Sequence, residues 1–133
     1  PEASRPWQHV LDPLYGYLRL ASKLSERPAE FGGAWNFGPE LREGRTVLQL
    51  AEMAVDVWGD GEISIEPLLG APFEHHFLQL NIDKAKLELD WMPNWSSDQA
   101  IFEAISWYKQ VSNGSSPETV SLSQITAFME QLK

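Results

Sequence analysis

Apolar residues recur every three to four positions in four separate stretches, and this confines the chain to a helix-rich fold. The clearest stretch runs from Thr46 to Trp58, where Val47, Leu50, Ala51, Ala54, Val55 and Trp58 share one face and Gly59 follows as a stop. A second spans about Pro13 to Ser25, with Leu14, Leu18 and Ala21 on one face and Tyr17, Leu20 and Leu24 beside it. Asp12 stands where its N-cap is expected, and Pro13 takes the first helical position, where a missing N–H does no harm. Ser97 to Val111 and Ser121 to Leu132 repeat the pattern, and a shorter helix is expected from Asp83 to Leu89. Ser/Thr-x-x-Gln pairs at Thr46/Gln49, Ser96/Gln99 and Ser121/Gln124 read as capping boxes.

Strand signals are sparser. Ala34–Phe37 follows a Gly-Gly pair, Ile63 and Ile65 alternate with polar residues, and Leu78, Leu80 and Ile82 do the same. The expected architecture is therefore a small, α-rich α/β unit, with Asn113–Pro117 as a loop before the last helix. At 133 residues it is one domain with room for a core, and six Trp argue against disorder. The opening Pro1–Pro6 has no initiator Met and reads as neither helix nor strand, so a trimmed piece is expected, with simple Met removal as the alternative.

Composition removes several function classes. A formal charge of −9 disfavours a nucleic-acid backbone as partner, although one or two arginines can still hold a small anion. Zero Cys rules out disulfides, thiolate metal sites and Cys nucleophiles, and fits a reducing compartment, although secreted proteins can also lack Cys. No apolar run is long enough to span a membrane. The sequence encodes no Gly-rich phosphate cradle between a strand and a helix, and no Tyr-x-x-x-Lys pair. His9, His75 and His76 are too few and scattered for a metal site, so none is expected.

Three segments carry possible ligand chemistry, each with a plain structural alternative. In Arg5-Pro6-Trp7-Gln8-His9-Val10-x-Asp12 an arginine and an indole precede a helix and could hold a phosphate and cover a sugar or base. They could equally be a solvated Arg, a core Trp and a capping Asp. Asn36 in Trp35–Pro39 could line a polar pocket, or the segment could be a buried strand stopped by Gly-Pro. Phe73-Glu74-His75-His76-Phe77 leaves a Gly/Pro-rich loop, from which polar side chains reach ligands; it could also be plain surface.

In order and spacing, these blocks resemble the C-terminal third of extended short-chain dehydrogenase/reductase enzymes acting on nucleotide sugars. The resemblance rests on 5–12, on Trp-Asn-Phe-Gly-Pro at 35–39 and on Glu-x-His-Phe-Leu-x-Leu at 74–80. It also rests on Asp-Lys-Ala-Lys-x-x-Leu-x-Trp-x-Pro-x-Trp at 83–95, with Trp107-Tyr108-Lys109 behind it. Within the superfamily, Arg5–Val10, the 74–80 block and the tail at Val120–Ile125 are most similar to the CDP-glucose 4,6-dehydratase branch. Phe73 in place of a usual His, and Asp83 in place of a usual Ser, depart from it. An epimerase, or a dehydratase of dTDP or UDP sugars, is the nearest alternative; a non-catalytic binding module is the alternative from another class.

The resemblance implies a small C-terminal substrate-binding subdomain, 1–133, lacking most or all of the Rossmann domain and carrying an added terminal helix beyond 113. It implies that Arg5 contacts a nucleotide pyrophosphate with Trp7 beside it, and that Glu74 and His76 lie on a loop facing the nucleotide sugar. The parent enzyme would be an NAD-dependent lyase converting CDP-glucose to its 4-keto-6-deoxy product, for deoxysugar and polysaccharide biosynthesis in the cytoplasm. Homo-oligomerisation of that parent is also implied. The cofactor motif and the Tyr/Lys pair lie in the half this chain lacks, so no catalytic residue and no bound NAD are expected here.

Overall fold

A computed structural model describes residues 3–41, 44–66 and 78–132. In chain order they form β1 (Ser4–Arg5), α1 (Leu11–Glu26), α2 (Pro28–Phe31), β2 (Arg45–Thr46) and α3 (Val47–Trp58), then α4 (Asp83–Leu89), α5 (Ser97–Ser112) and α6 (Pro117–Gln131). The α-rich expectation holds, but the sheet among the described residues is one antiparallel two-residue ladder, Ser4 opposite Thr46 and Arg5 opposite Arg45. None of the three expected strands forms. Residues 34–37 bury Phe37 but find no neighbouring backbone to pair with, and 62–66 are exposed throughout. Residues 78–82 approach β1 through a single bond, Leu78 N–H to the Ser4 carbonyl at 3.4 Å.

All the expected helices are present, α4 and α5 starting where expected and α1 and α6 earlier. Asp12 is not an N-cap. α1 begins at Leu11, two residues before the expected Pro13, and the Asp12 side chain turns inward, fully buried, where Oδ1 accepts the Asn94 N–H at 2.6 Å. The Leu11 N–H is taken instead by His9 Nδ1 at 3.3 Å. Asp83 is likewise the first helical residue of α4, and its N–H is capped by Asn81 Oδ1 at 3.0 Å. The last helix starts at Pro117, not Ser121, because Ser116 caps it and proline suits the first position. Ser121 and Gln124 are spent elsewhere: the Ser121 hydroxyl donates to the Pro117 carbonyl, and the Gln124 amide donates to the Glu103 carbonyl. The box at Thr46/Gln49 is complete, and Ser96 accepts the Gln99 N–H as expected.

One core cluster lies where α1, α2 and α4 meet: Phe31, Phe37, Ile82, Ala85, Leu89 and Trp91. Burying each of the larger side chains contributes about 1.5–3 kcal/mol. Phe37 reaches α1 only because position 16 is glycine; a Cβ there would overlap the Phe37 ring. A second group joins α5 and α6 to the start of α1, with Trp95 edge-on to Phe128 (5.1 Å) and to His9 (4.8 Å). Asn94 ties the two together, its backbone N–H on Asp12 and its side-chain amide on the Phe128 carbonyl.

Candidate functional site

The short β1–β2 ladder sets Arg5 directly opposite Arg45, and opposed residues of an antiparallel pair project to the same face. Two like charges there would repel. Asp98, in the first turn of α5, relieves this by binding Arg45 through two parallel bonds, Nε to Oδ1 and Nη2 to Oδ2, both 2.8 Å. Both partners are substantially exposed, so the pair contributes at most about 1 kcal/mol. Its main effect is to orient β2.

Arg5 is half-buried, with Nη1 donating to the Ser4 carbonyl at 2.8 Å. It borders a dent shared with Pro6, Pro39, Glu40 and Leu80, with a volume of about 10 Å³. That is room for a water molecule, not for a sugar nucleotide. The neighbouring acid, Glu40, is occupied by Lys86, whose Nζ lies 2.7 Å from Oε2. Among the described residues, then, the space beside Arg5 is small, and its guanidinium is already bonded to the Ser4 carbonyl.

Trp7 is held rather than presented. Its indole N–H donates to the Arg45 carbonyl at 2.9 Å, and its own carbonyl accepts from the Ser97 hydroxyl at 3.0 Å. The side chain therefore links β2 to β1, and the backbone links β1 to α5. The structure brings Arg5 and Trp7 together at β1; Glu74 and His76, with His75 and Phe73, lie outside the described residues.

The four long helices each have a first-turn N–H already taken by a side chain of this chain: Leu11 by His9, Gln49 by Thr46, Gln99 by Ser96 and Thr119 by Ser116. Glycine is at none of those caps. The glycine turn that leaves helix N–H groups to a dinucleotide pyrophosphate is thus not found at the starts of these four helices.

No family model matches the chain. A curated protein does: the sequence is 34% identical over 129 residues to CDP-glucose 4,6-dehydratase of Salmonella typhimurium. This chain matches the C-terminal part of that enzyme. The alignment takes in 97% of the chain but only 36% of the dehydratase, so the chain spans about a third of the length of the curated relative it matches.

Sequence reasoning missed three residues that the geometry brings forward. Arg45 and Asp98 gave no local signal, because their pairing depends on β2 meeting the start of α5. His9 was set aside as one of three scattered histidines, yet it is buried at 8% exposure against Trp95. Burial lowers its pKa and keeps the ring neutral. Its place in the alternation Arg5, Trp7, His9 before a helix was the available clue.

Proposed function

We propose that the chain is the nucleotide-sugar-binding portion of an NAD-dependent CDP-glucose 4,6-dehydratase, and that on its own it lacks the groups for turnover. The observation that carries the reading is the match over 97% of the chain to a CDP-glucose 4,6-dehydratase. In this reading Arg5 contacts the pyrophosphate, Trp7 fixes the strand that carries it, and Glu74 and His76 sit on the loop facing the sugar. NAD and the Tyr-x-x-x-Lys chemistry belong to the part of the dehydratase that these 133 residues do not match.

Calorimetry of the full gene product with CDP-, UDP- and dTDP-glucose tests the assignment. CDP-glucose should bind tightest, and Arg5→Met should weaken it roughly ten- to a hundredfold, the worth of a charged hydrogen bond of about 1.5–3 kcal/mol. Tightest binding of UDP-glucose would overturn the branch. Formation of a 4-keto-6-deoxy sugar by the purified 133-residue chain would overturn the claim that it lacks the catalytic groups.

A further inference from the structure

A groove of about 410 Å³ opens where the β1–α1 corner meets α5 and α6, with apolar walls from Val10, Leu11, Ala104, Trp107, Tyr108 and Ile125. It includes neither Arg5 nor Trp7. Its volume and aromatic lining suit a small molecule, provided a few polar groups remain to orient it. Two polar groups on the wall are bonded to each other. The Ser121 hydroxyl accepts the Trp107 indole N–H at 3.0 Å and donates to the Pro117 carbonyl at 2.7 Å.

Three lining side chains are different: Gln8 gives its amide to the Phe37 carbonyl at 3.0 Å and leaves a sealed Oε1 without a partner, while His9 and Gln124 still reach solvent. His9 and Gln124 are only 8% and 9% exposed, and each is anchored by one half of its hydrogen-bonding capacity. His9 Nδ1 accepts the Leu11 N–H, which places the hydrogen of the neutral ring on Nε2. The Gln124 amide nitrogen donates to the Glu103 carbonyl and carboxylate at 2.7 and 3.1 Å, which fixes Oε1 as the acceptor left over. Among the described residues neither His9 Nε2 nor Gln124 Oε1 has a partner, and neither is sealed from solvent. The groove thus offers a solvent-reachable donor on His9 and a solvent-reachable acceptor on Gln124 beside an aromatic pair. No Lys or Arg lines it, and Glu103 stands behind Gln124, so a phosphate or carboxylate is disfavoured.

We propose that this groove binds a small uncharged aromatic amide. Its ring rests against Trp107 and Tyr108, its carbonyl accepts from His9 Nε2–H, and its N–H donates to Gln124 Oε1. The probe is benzamide, titrated into the ¹⁵N-labelled 133-residue chain, with the Trp107 indole and Gln124 amide resonances as reporters. Toluene offers the ring alone, and methyl benzoate offers the ring and acceptor without an N–H. Benzamide should shift both reporters saturably and bind at least tenfold tighter than either comparator. His9→Phe keeps a ring against Trp95 but removes the donor; it should weaken benzamide about tenfold and leave toluene unchanged. Ala104→Phe fills the groove and should abolish all three shifts. Equal affinity for benzamide and methyl benzoate, shifts that map away from the groove, or full benzamide affinity in folded His9→Phe would each overturn the proposal. If His9→Phe does not fold, the wild-type ratio of benzamide to methyl benzoate decides the question.

Discussion

The imidazole of His9 sits edge-on to Trp95 at 4.8 Å and accepts the first free N–H of α1, the Leu11 N–H. Protonation would convert that acceptor into a donor and bury a positive charge at the positive end of a helix. Desolvation accordingly lowers the His9 pKa below 6.5 in the folded chain. Between the lowered folded value and the ordinary unfolded one, the unfolded chain binds more protons, so stability rises with pH there. The contribution is fully present above about pH 6.5 and is lost as pH falls from there through the folded pKa. The thermal midpoint should therefore drop between pH 7 and 5 by more in the wild type than in His9→Asn, which keeps an acceptor but cannot titrate. Parallel pH profiles of the two would sink the idea. At position 9 the alternation Arg5, Trp7, His9 was a faint clue at best, since a lone His before a helix carries no mark of burial. Asp12 is the same lesson reversed. Its type and place announced a cap, but a partner 82 positions away, Asn94, turned the carboxylate inward.

Elements were more legible than the residues that join them. The periods of Thr46–Trp58 and Ser97–Val111 marked α3 and α5 closely because each amphipathic face is a local property. The strands failed for the opposite reason: a strand requires a partner, and alternation in 62–66 or 78–82 cannot say whether one is near. Likewise β1 and β2 pair although two residues each leave no pattern to read. The contact between α3 and α5 shows how a join works without sequence signal. α3 ends at Gly59, in the left-handed region at φ 83°, and its last carbonyls need partners. Lys109, in the last turn of α5, supplies one, with Nζ 3.0 Å from the Val57 carbonyl. The charge also complements the C-terminal end of the α3 dipole. Lys109→Met should cost about 0.5–1.5 kcal/mol, a fall of roughly 2–8 °C in the thermal midpoint. Lys109→Arg should recover much of it. Scanning calorimetry reads both, and an unchanged midpoint in Lys109→Met would remove the cap from the account of how α3 is held.

At the scale of the whole molecule the outer face of α1 is out of keeping with a finished surface. Val10, Leu14, Tyr17 and Leu18 follow one another at helical spacing, and all are exposed, Leu18 at 72%. Their row lies on the side of α1 away from Tyr15 and Leu20, which pack against the core cluster, and Tyr17 forms its edge, its ring 5.4 Å from that of Phe37. Such a contiguous apolar stripe, on a chain matching about a third of a dehydratase's length, is the kind of surface that soluble proteins keep covered. On the 133-residue chain alone, water meets it directly, and burial of apolar area at about 25 cal/mol per Å² favours self-association through it. The net charge of −9 opposes that association by repulsion, and salt screens the repulsion without weakening the apolar term. Sedimentation velocity should therefore show the weight-average mass rising with concentration, and more steeply in 0.5 M than in 0.05 M NaCl. Leu18→Glu should return the chain to monomer with little loss of thermal stability, because Leu18 touches the solvent and not the core. A wild-type chain that remains monomeric at all concentrations in high salt would mean that the stripe is too narrow or too curved to pair.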